Sequence, residues 1–211
     1  VVLAASDVFA RSEMIVKVKE PQLSECQLLR PGQILFTYLH LAPDPEQAKA
    51  LMASGATCIA YETVTSASGG LPLLAPMSEV AGRMAIQAGA YFLVKPHGGL
   101  GVLLGGVPGV APAEGVILGG GGGGSHAALI AGGMGAEVWV LDRNVDVLRN
   151  LWRQYGSAIN TQFATRDAIE AHCENADLVI GGVLVPGASA PKLLTRAMLK
   201  RMKAGSVVVD V

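Results

Sequence analysis

The chain has 211 residues, room for one large domain or two small ones. Its apolar fraction is 51% and its formal net charge is −1, so there is no electrostatic footprint for nucleic acid or for an anionic membrane. Glycine is the outlier, 27 residues or about 13% against a usual ~7%, yet no Gly-X-Y period runs through the chain, which excludes collagen.

Met14 to Lys19 alternates apolar and basic residues as a half-buried strand does. Gln33 to Leu39 is a second strand after the turn Pro31-Gly32. Asp44 caps a helix with Pro45 at its first position, and Gln47 is placed to reach back as in a capping box. Gly55 ends that helix, and Thr57 to Tyr61 is the next strand. Strand, helix, strand in this order predicts a parallel pair with a right-handed crossover. Ser66 to Gly70 is a loop. From Ser78 to about Ala90 runs a helix whose Ala81, Ala85 and Ala88 leave little bulk, so it is expected to pack closely on another backbone and to connect two domains. His97 to Pro112 reads as turns and short β-structure.

Gly115 to Leu118 is a short apolar strand, Gly119 to Gly124 a turn, and Ala127 to Met134 a helix ended by Gly135. Glu137 to Leu141 is a strand finishing at Asp142. In the next helix Leu148, Leu151, Trp152 and Tyr155 recur at helical spacing, and Gly156 stops it. Ile159 to Phe163, Asp177 to Val183 and Ser206 to Val211 are strands; Arg166 to Asn175 and Thr195 to Lys203 are helices. This alternation predicts an α/β protein: a doubly wound parallel sheet (Rossmann) cofactor domain at 73–211, joined to part of a second α/β substrate domain at 1–72. Gly115 to Ala136 carries no charged side chain and is long enough to span a bilayer, but six consecutive glycines followed by Ser125-His126 argue against a membrane span. Cys26, Cys58 and Cys173 are odd in number and without metal spacing, which fits a reduced, cytoplasmic compartment. Val1 to Ala10 has no signal-peptide pattern, and the absence of an initial Met points to a fragment or a processed product.

The glycine turn carries the first chemical expectation. Gly119, Gly121 and Gly124 have G-x-G-x-x-G spacing between a strand and a helix, and a second strand ends in Asp142, near the usual offset for a ribose-binding acid. The first glycine serves the tight turn, the second a close approach to a pyrophosphate, the third helix–strand packing. The helix N-terminus then offers N–H groups to phosphate. Asp142 favours NAD, whereas the neighbouring Arg143 could host a 2′-phosphate. A flexible interdomain linker is the bland alternative, and the flanking strand and helix signals weigh against it.

Longer blocks carry a resemblance: Lys17 to Pro21 (KVKEP), Gln33 to Leu41, Ile59 to Val64, Leu71 to Arg83, Gly101 to Pro108, Val116 to Gly121, Asp177 to Gly187, Ala190 to Lys192 and Gly205 to Val211. Together they resemble bacterial L-alanine dehydrogenases, over nearly the whole chain. The related proton-translocating transhydrogenase α-subunit shares the fold but less of this wording. It supplies the alternative function, NAD(H) binding without amino-acid chemistry. The resemblance implies NAD-dependent oxidative deamination of L-alanine to pyruvate and ammonium, and the reverse, in a homohexamer to which the stretch around Val102 to Val110 can contribute. It implies Lys19 and His40 as catalytic residues, Ser78 as a phosphate-binding serine and Asp142 as the ribose acid. A lysine suits holding a carboxylate or polarising a carbonyl, and a histidine suits proton transfer near neutral pH. Spacing alone does not choose between Lys17 and Lys19; the resemblance chooses Lys19.

Other candidates are Glu62, a strand-end acid able to reach the site or a metal; His97 beside two glycines; His126 next to the glycine turn; and His172 on a polar helix face. Backbone contacts to a nicotinamide are expected at Leu184 to Pro186. The chain departs from the family pattern at Leu100, where an Arg is usual, and at Gly122 and Gly123, where apolar residues are usual. The family's substrate-binding Arg would precede Val1 and its catalytic Asp would follow Val211. That implies an internal fragment with little activity on its own.

Overall fold

A computed structural model of the chain describes residues 4–67, 69–185 and 190–211. These fall into two compact units. One comprises the residues up to Pro76, together with Val185; the other runs from Met77 to Leu184 and from Ala190 to Val211.

The first unit contains α1 (Ala5–Arg11), β1 (Met14–Val16), α2 (Leu23–Cys26), β2 (Ile34–Thr37), α3 (Pro45–Ser54) and β3 (Thr57–Ala60). The strands form a parallel sheet in the order β1-β2-β3, with Leu35 opposite Ile15 and Cys58. Its core gathers Phe9, Ile15, Cys26, Leu29, Leu35, Leu39 and Leu51. Buried Gln33 is fully used: its Nε2 donates to the carbonyls of Phe9 and Ser12, both at 2.8 Å, and its Oε1 accepts from the Arg30 amide. Three expectations are corrected here. Strand β1 stops at Val16 rather than Lys19, because β2 ends at Thr37, whose hydroxyl takes over from the backbone ladder and reaches the carbonyls of Val18 (3.2 Å) and Lys19 (3.1 Å). Asp44 does cap α3, accepting from the Gln47 amide at 3.0 Å, but there is no capping box. The Asp44 amide donates to Leu41, and the Gln47 side chain turns inward with Leu51, leaving its Nε2 buried without a hydrogen-bond partner. The short helices α1 and α2 were not anticipated at all.

The second unit holds most of α4 (Ala75–Leu93), then β4 (Glu114–Leu118), α5 (Gly122–Gly133), β5 (Glu137–Asp142), α6 (Val145–Tyr155), β6 (Asn160–Phe163), α7 (Arg166–Asn175), β7 (Leu178–Gly181), α8 (Arg196–Leu199) and β8 (Val207–Asp210). The five strands are all parallel, in the order β6-β5-β4-β7-β8. Successive side chains of a strand point to opposite faces, and β4 shows what that does here. Ile117 enters a core with Ile86 and Leu93 of α4, Ala127 and Ala128 of α5, and Leu151 of α6. Val116 and Leu118 enter another with Ala168, Ile169 and Cys173 of α7 and Met198 of α8. Both faces of the sheet are covered, as parallel sheets require, and the predicted doubly wound architecture is observed.

Helix α4 meets the glycine turn through glycine rather than alanine. A Cβ built on Gly82 would stand 1.9 Å from the carbonyl oxygen of Gly123. The predicted close approach is therefore real, but Gly82 makes it. Three boundaries also shift. Helix α5 begins at Gly122, so three of the six glycines are its first turn. Strand β7 ends at Gly181 rather than Val183. Helix α8 is one turn long; beyond it Lys203 pairs with Asp177 at 2.8 Å and the chain enters β8. Trp152 lies outside, 64% exposed, because the buried stripe of α6 runs through Val147, Leu148, Leu151 and Tyr155. The segment 97–112 is turns with a single antiparallel bridge, Val107 to Val110. Among the described residues no helix is long and apolar enough to cross a membrane.

Candidate functional site

In the second unit the chain leaves β4 toward β5 on one side of the sheet, while β7 pairs on the other. Such a reversal of winding opens a crevice at the carboxyl ends of the strands, where doubly wound folds bind ligands. The glycine turn lies there. Gly119 follows β4 with φ +95°, a backbone conformation closed to most side chains. A Cβ on Gly124 would lie 1.7 Å from the Gly119 carbonyl oxygen, so that glycine lets helix and strand close on each other. Gly121 caps α5 and has open space where a Cβ would project. The first-turn N–H groups of a helix lack intrahelical partners, and here they border that open space. Ser78 of α4 lies against the same turn: a Cβ on Gly122 would come within 3.3 Å of the Ser78 Cβ.

Asp142, the last residue of β5, accepts from the Gly120 amide through Oδ2 and from the Asn144 amide through Oδ1, both at 2.7 Å. It thereby ties the glycine turn to the start of α6. Arg143 beside it is exposed. Ser78, Gly119, Gly121, Gly124 and Asp142 are thus gathered at one end of one sheet, and open backbone N–H groups at a helix start fit a pyrophosphate. His126 stands in α5 just after that turn, where its Nδ1 accepts from Arg83 Nε at 3.1 Å and its Nε2 lies 3.9 Å from Glu79. A cavity of about 380 Å³ opens at the ends of β4, β7 and β8, lined among others by Leu118, Val183, Leu194 and Asp210. Leu184 is 59% exposed; Pro186, the end of the expected nicotinamide contact, lies outside the described residues.

In the first unit Lys17 and Lys19 behave differently. Lys17 Nζ is held by both oxygens of Glu25, at 2.7 and 2.6 Å, with its side chain mostly buried. Lys19 is 83% exposed, its Nζ 3.4 Å from Glu20. His40 Nε2 lies 3.3 Å from the other oxygen of Glu20, so one carboxylate joins the two predicted catalytic residues. Burial pushes the Glu20 carboxyl up, but its own backbone amide, Lys19 and His40 together outweigh this and hold it below the usual carboxylate value. Glu62 does reach this place, through backbone: its carboxylate accepts from the amides of Leu39 and His40. Sequence reading missed Glu20, whose only signal was its place between Lys19 and Pro21. It also missed Arg83, whose partner lies 43 residues away.

Two other histidines serve packing. His97 stacks on Tyr91 with ring centroids 3.8 Å apart, and its Nδ1 lies 2.9 Å from the Tyr91 carbonyl. His172 keeps polar partners on its helix face but is mostly covered: it packs on Trp139, its Nε2 is 2.7 Å from Gln162 Oε1, and its Nδ1 is 3.7 Å from Glu114, the first residue of β4.

Fold and glycine turn define a two-unit α/β protein whose second unit has the topology of dinucleotide-binding domains. The model of the alanine dehydrogenase/PNT C-terminal domain matches residues 85–211 and that of the N-terminal domain residues 1–81. The chain belongs to the alanine dehydrogenase/PNT family, as the sequence blocks implied. It is 59% identical over 200 residues to an alanine dehydrogenase of Halomonas elongata, covering 95% of this chain and 54% of that protein. It is 55% identical to one of Methanococcus maripaludis, covering 100% and 57%. Among solved structures, an L-alanine dehydrogenase superposes with TM-score 0.87 at 50% identity, over 100% of this chain and 58% of the other. A transhydrogenase from Sinorhizobium meliloti gives 0.73 at 27%, over 97% and 59%. The chain therefore spans a little over half the length of the relatives it matches.

Proposed function

We propose that this chain carries the dinucleotide site and part of the substrate site of an NAD-dependent L-alanine dehydrogenase, which interconverts L-alanine with pyruvate and ammonium. The observation that carries it is the division of labour between the two lysines. Lys17 is held tightly by Glu25, whereas Lys19 reaches into solvent and makes a looser 3.4 Å contact to the carboxylate it shares with His40. Identity above 50% to alanine dehydrogenases supports the amino-acid chemistry over nucleotide binding alone.

The glycine turn and the start of α5 would hold the pyrophosphate, Ser78 would add a hydroxyl to it, and Asp142 would take the adenine-ribose hydroxyls, which favours NAD over a 2′-phosphorylated cofactor. NAD, when bound, would supply the hydride acceptor for oxidation of the substrate α-carbon, and NADH the hydride donor for the reverse. Lys19 neutralises the substrate carboxylate and draws electron density from the reacting carbon. His40 takes a proton from water as it attacks the imine carbon, and gives one back as ammonia departs. The natural-length protein is assigned to the cytoplasm and to a homohexamer on the same family grounds.

The test is alanine-dependent NADH formation by the natural-length protein. His40→Ala should remove most turnover while NADH binding stays nearly intact. Equal loss of both, or NADH binding with no alanine-dependent turnover in the unmodified protein, would overturn the reading.

A further inference from the structure

The geometry points to Glu62 as a positioning residue for His40, a role that rests on the proposed catalytic function of that histidine. Strands β2 and β3 run side by side, with Thr37 opposite Ala60, so the residues that follow each strand emerge at the same sheet end. After β3 the chain takes a single 3-10 turn, Tyr61–Thr63, which carries the Glu62 carboxylate back over the turn that follows β2. Glu62 Oε1 accepts from the amides of Leu39 at 3.1 Å and His40 at 2.7 Å; Oε2 accepts from Leu39 at 3.3 Å. Charge-assisted bonds of this kind are about twice as strong as neutral ones.

Such a clamp is needed because His40 has φ +45°, the sole non-glycine residue with positive φ among the described residues. That conformation is disfavoured for any L side chain and persists only when its surroundings over-determine it. Relaxing to negative φ would swing the Cα–Cβ bond and carry the imidazole away from Glu20 and Lys19. The plane of the ring has a separate support. Tyr38 lies parallel to it, 5.8 Å away at 6°, and is itself held by a hydrogen bond from its hydroxyl to the Leu73 carbonyl and by the edge of Tyr61. Glu62 contacts only the backbone of the histidine, so it acts through His40 rather than on the substrate.

Three variants test this in the natural-length protein: Glu62→Ala, Glu62→Gln, and Glu62→Ala combined with His40→Ala. A displacement of about 1 Å at a reacting group costs on the order of 100-fold in rate. Glu62→Ala should lower kcat roughly 10- to 100-fold with the KM for NAD unchanged. Glu62→Gln keeps an oxygen able to accept both amides and should recover most of that loss. On a His40→Ala background, Glu62→Ala should change the residual rate less than about twofold, because its effect runs through the missing ring. In this 211-residue chain, amide hydrogen exchange at Leu39 and His40 should accelerate in Glu62→Ala while Leu35 and Phe36 of β2 stay protected. Unchanged exchange at Leu39 and His40, full kcat in Glu62→Ala, or an undiminished loss on the His40→Ala background would each overturn the proposal. Normal turnover by His40→Ala alone would instead remove the catalytic reading of His40, and with it this role; the exchange data would then report only a backbone clamp.

Discussion

Replacing Gly82 with alanine should destabilise the second unit even though it puts the better helix former into the middle of α4. In open space the exchange would stabilise by up to about 1 kcal/mol. Here the new methyl would sit 1.9 Å from the Gly123 carbonyl oxygen and 2.8 Å from its carbon, where ordinary contact begins at 3.4 Å. Backbone cannot rotate out of the way as a side chain can, so α4 and the first turn of α5 must part by about 1.5 Å. A gap of 0.5–1 Å already forfeits a quarter to a half of the dispersion attraction across it, and the interface opened includes Ala85, Ile86 and Leu93, all 3% exposed or less. Overpacking of this kind costs about 1–3 kcal/mol and occasionally more. With the helix-propensity gain subtracted, a net loss of about 1–2 kcal/mol is expected, roughly 2–8 °C in Tm for a chain of this size. Thermal melting of Gly82→Ala against wild type measures it. Gly133→Ala is the control: that residue is helical and exposed with nothing within 4 Å of its Cβ, so it should stabilise by about 0.5–1 kcal/mol. NADH titration should also weaken in Gly82→Ala, since the displaced carbonyl belongs to the turn assigned to phosphate. If Gly82→Ala melts at or above the wild-type temperature, the close approach of the two helices is refuted.

The two lysines should separate cleanly. Lys17→Met should cost about 1 kcal/mol by stranding Glu25, and Lys19→Met within about 0.5 kcal/mol while removing most alanine turnover; urea melts and NADH assays read the two effects. Glu25 adds a pH signature. Burial pushes its carboxyl up, but the Lys17 ammonium and the Gln22 amide hold it below the usual value. Its contribution is therefore present above the unfolded value and lost as pH falls through the lower folded one. Lys17→Met should flatten that acid limb. At the alkaline end, burial pushes the Cys173 thiol up to about 11. The unfolded chain then ionises first, so stability should fall as pH rises from about 9 through 11. Native Cys173 should resist alkylation at pH 8, as followed by mass spectrometry, and rapid labelling of the folded chain would contradict its burial.

Most of the succession of strands and helices was readable because parallel strands buried on both faces announce themselves as apolar runs between capped helices. Asp44-Pro45 marked α3, and the glycine run with Asp142 marked the nucleotide-type unit. What escaped was set by distance or by shortness. Helices α1 and α2 have seven and four residues and too few buried positions to show a period. Helix α8 is shorter than its sequence predicts, and the bond from Lys203 to Asp177, 26 residues earlier, leaves no local trace. The inward turn of Gln47 ran against its polarity. In the site, Lys17 and Lys19 were equivalent on an alternating strand until Glu25 claimed one of them, and neither Glu20 nor Glu62 announces in sequence that it will meet His40.

The place of β4 in the sheet also bears on how the chain is made. This strand, whose Val116, Ile117 and Leu118 are almost wholly buried, is flanked by β5 and β7. It ends at Leu118, and β7 begins only at Leu178, roughly sixty residues later. A ribosome therefore releases β4, β5 and β6 well before the other neighbour of β4 exists. For that interval one side of this buried strand is an unpaired edge, the arrangement that invites pairing with another nascent chain.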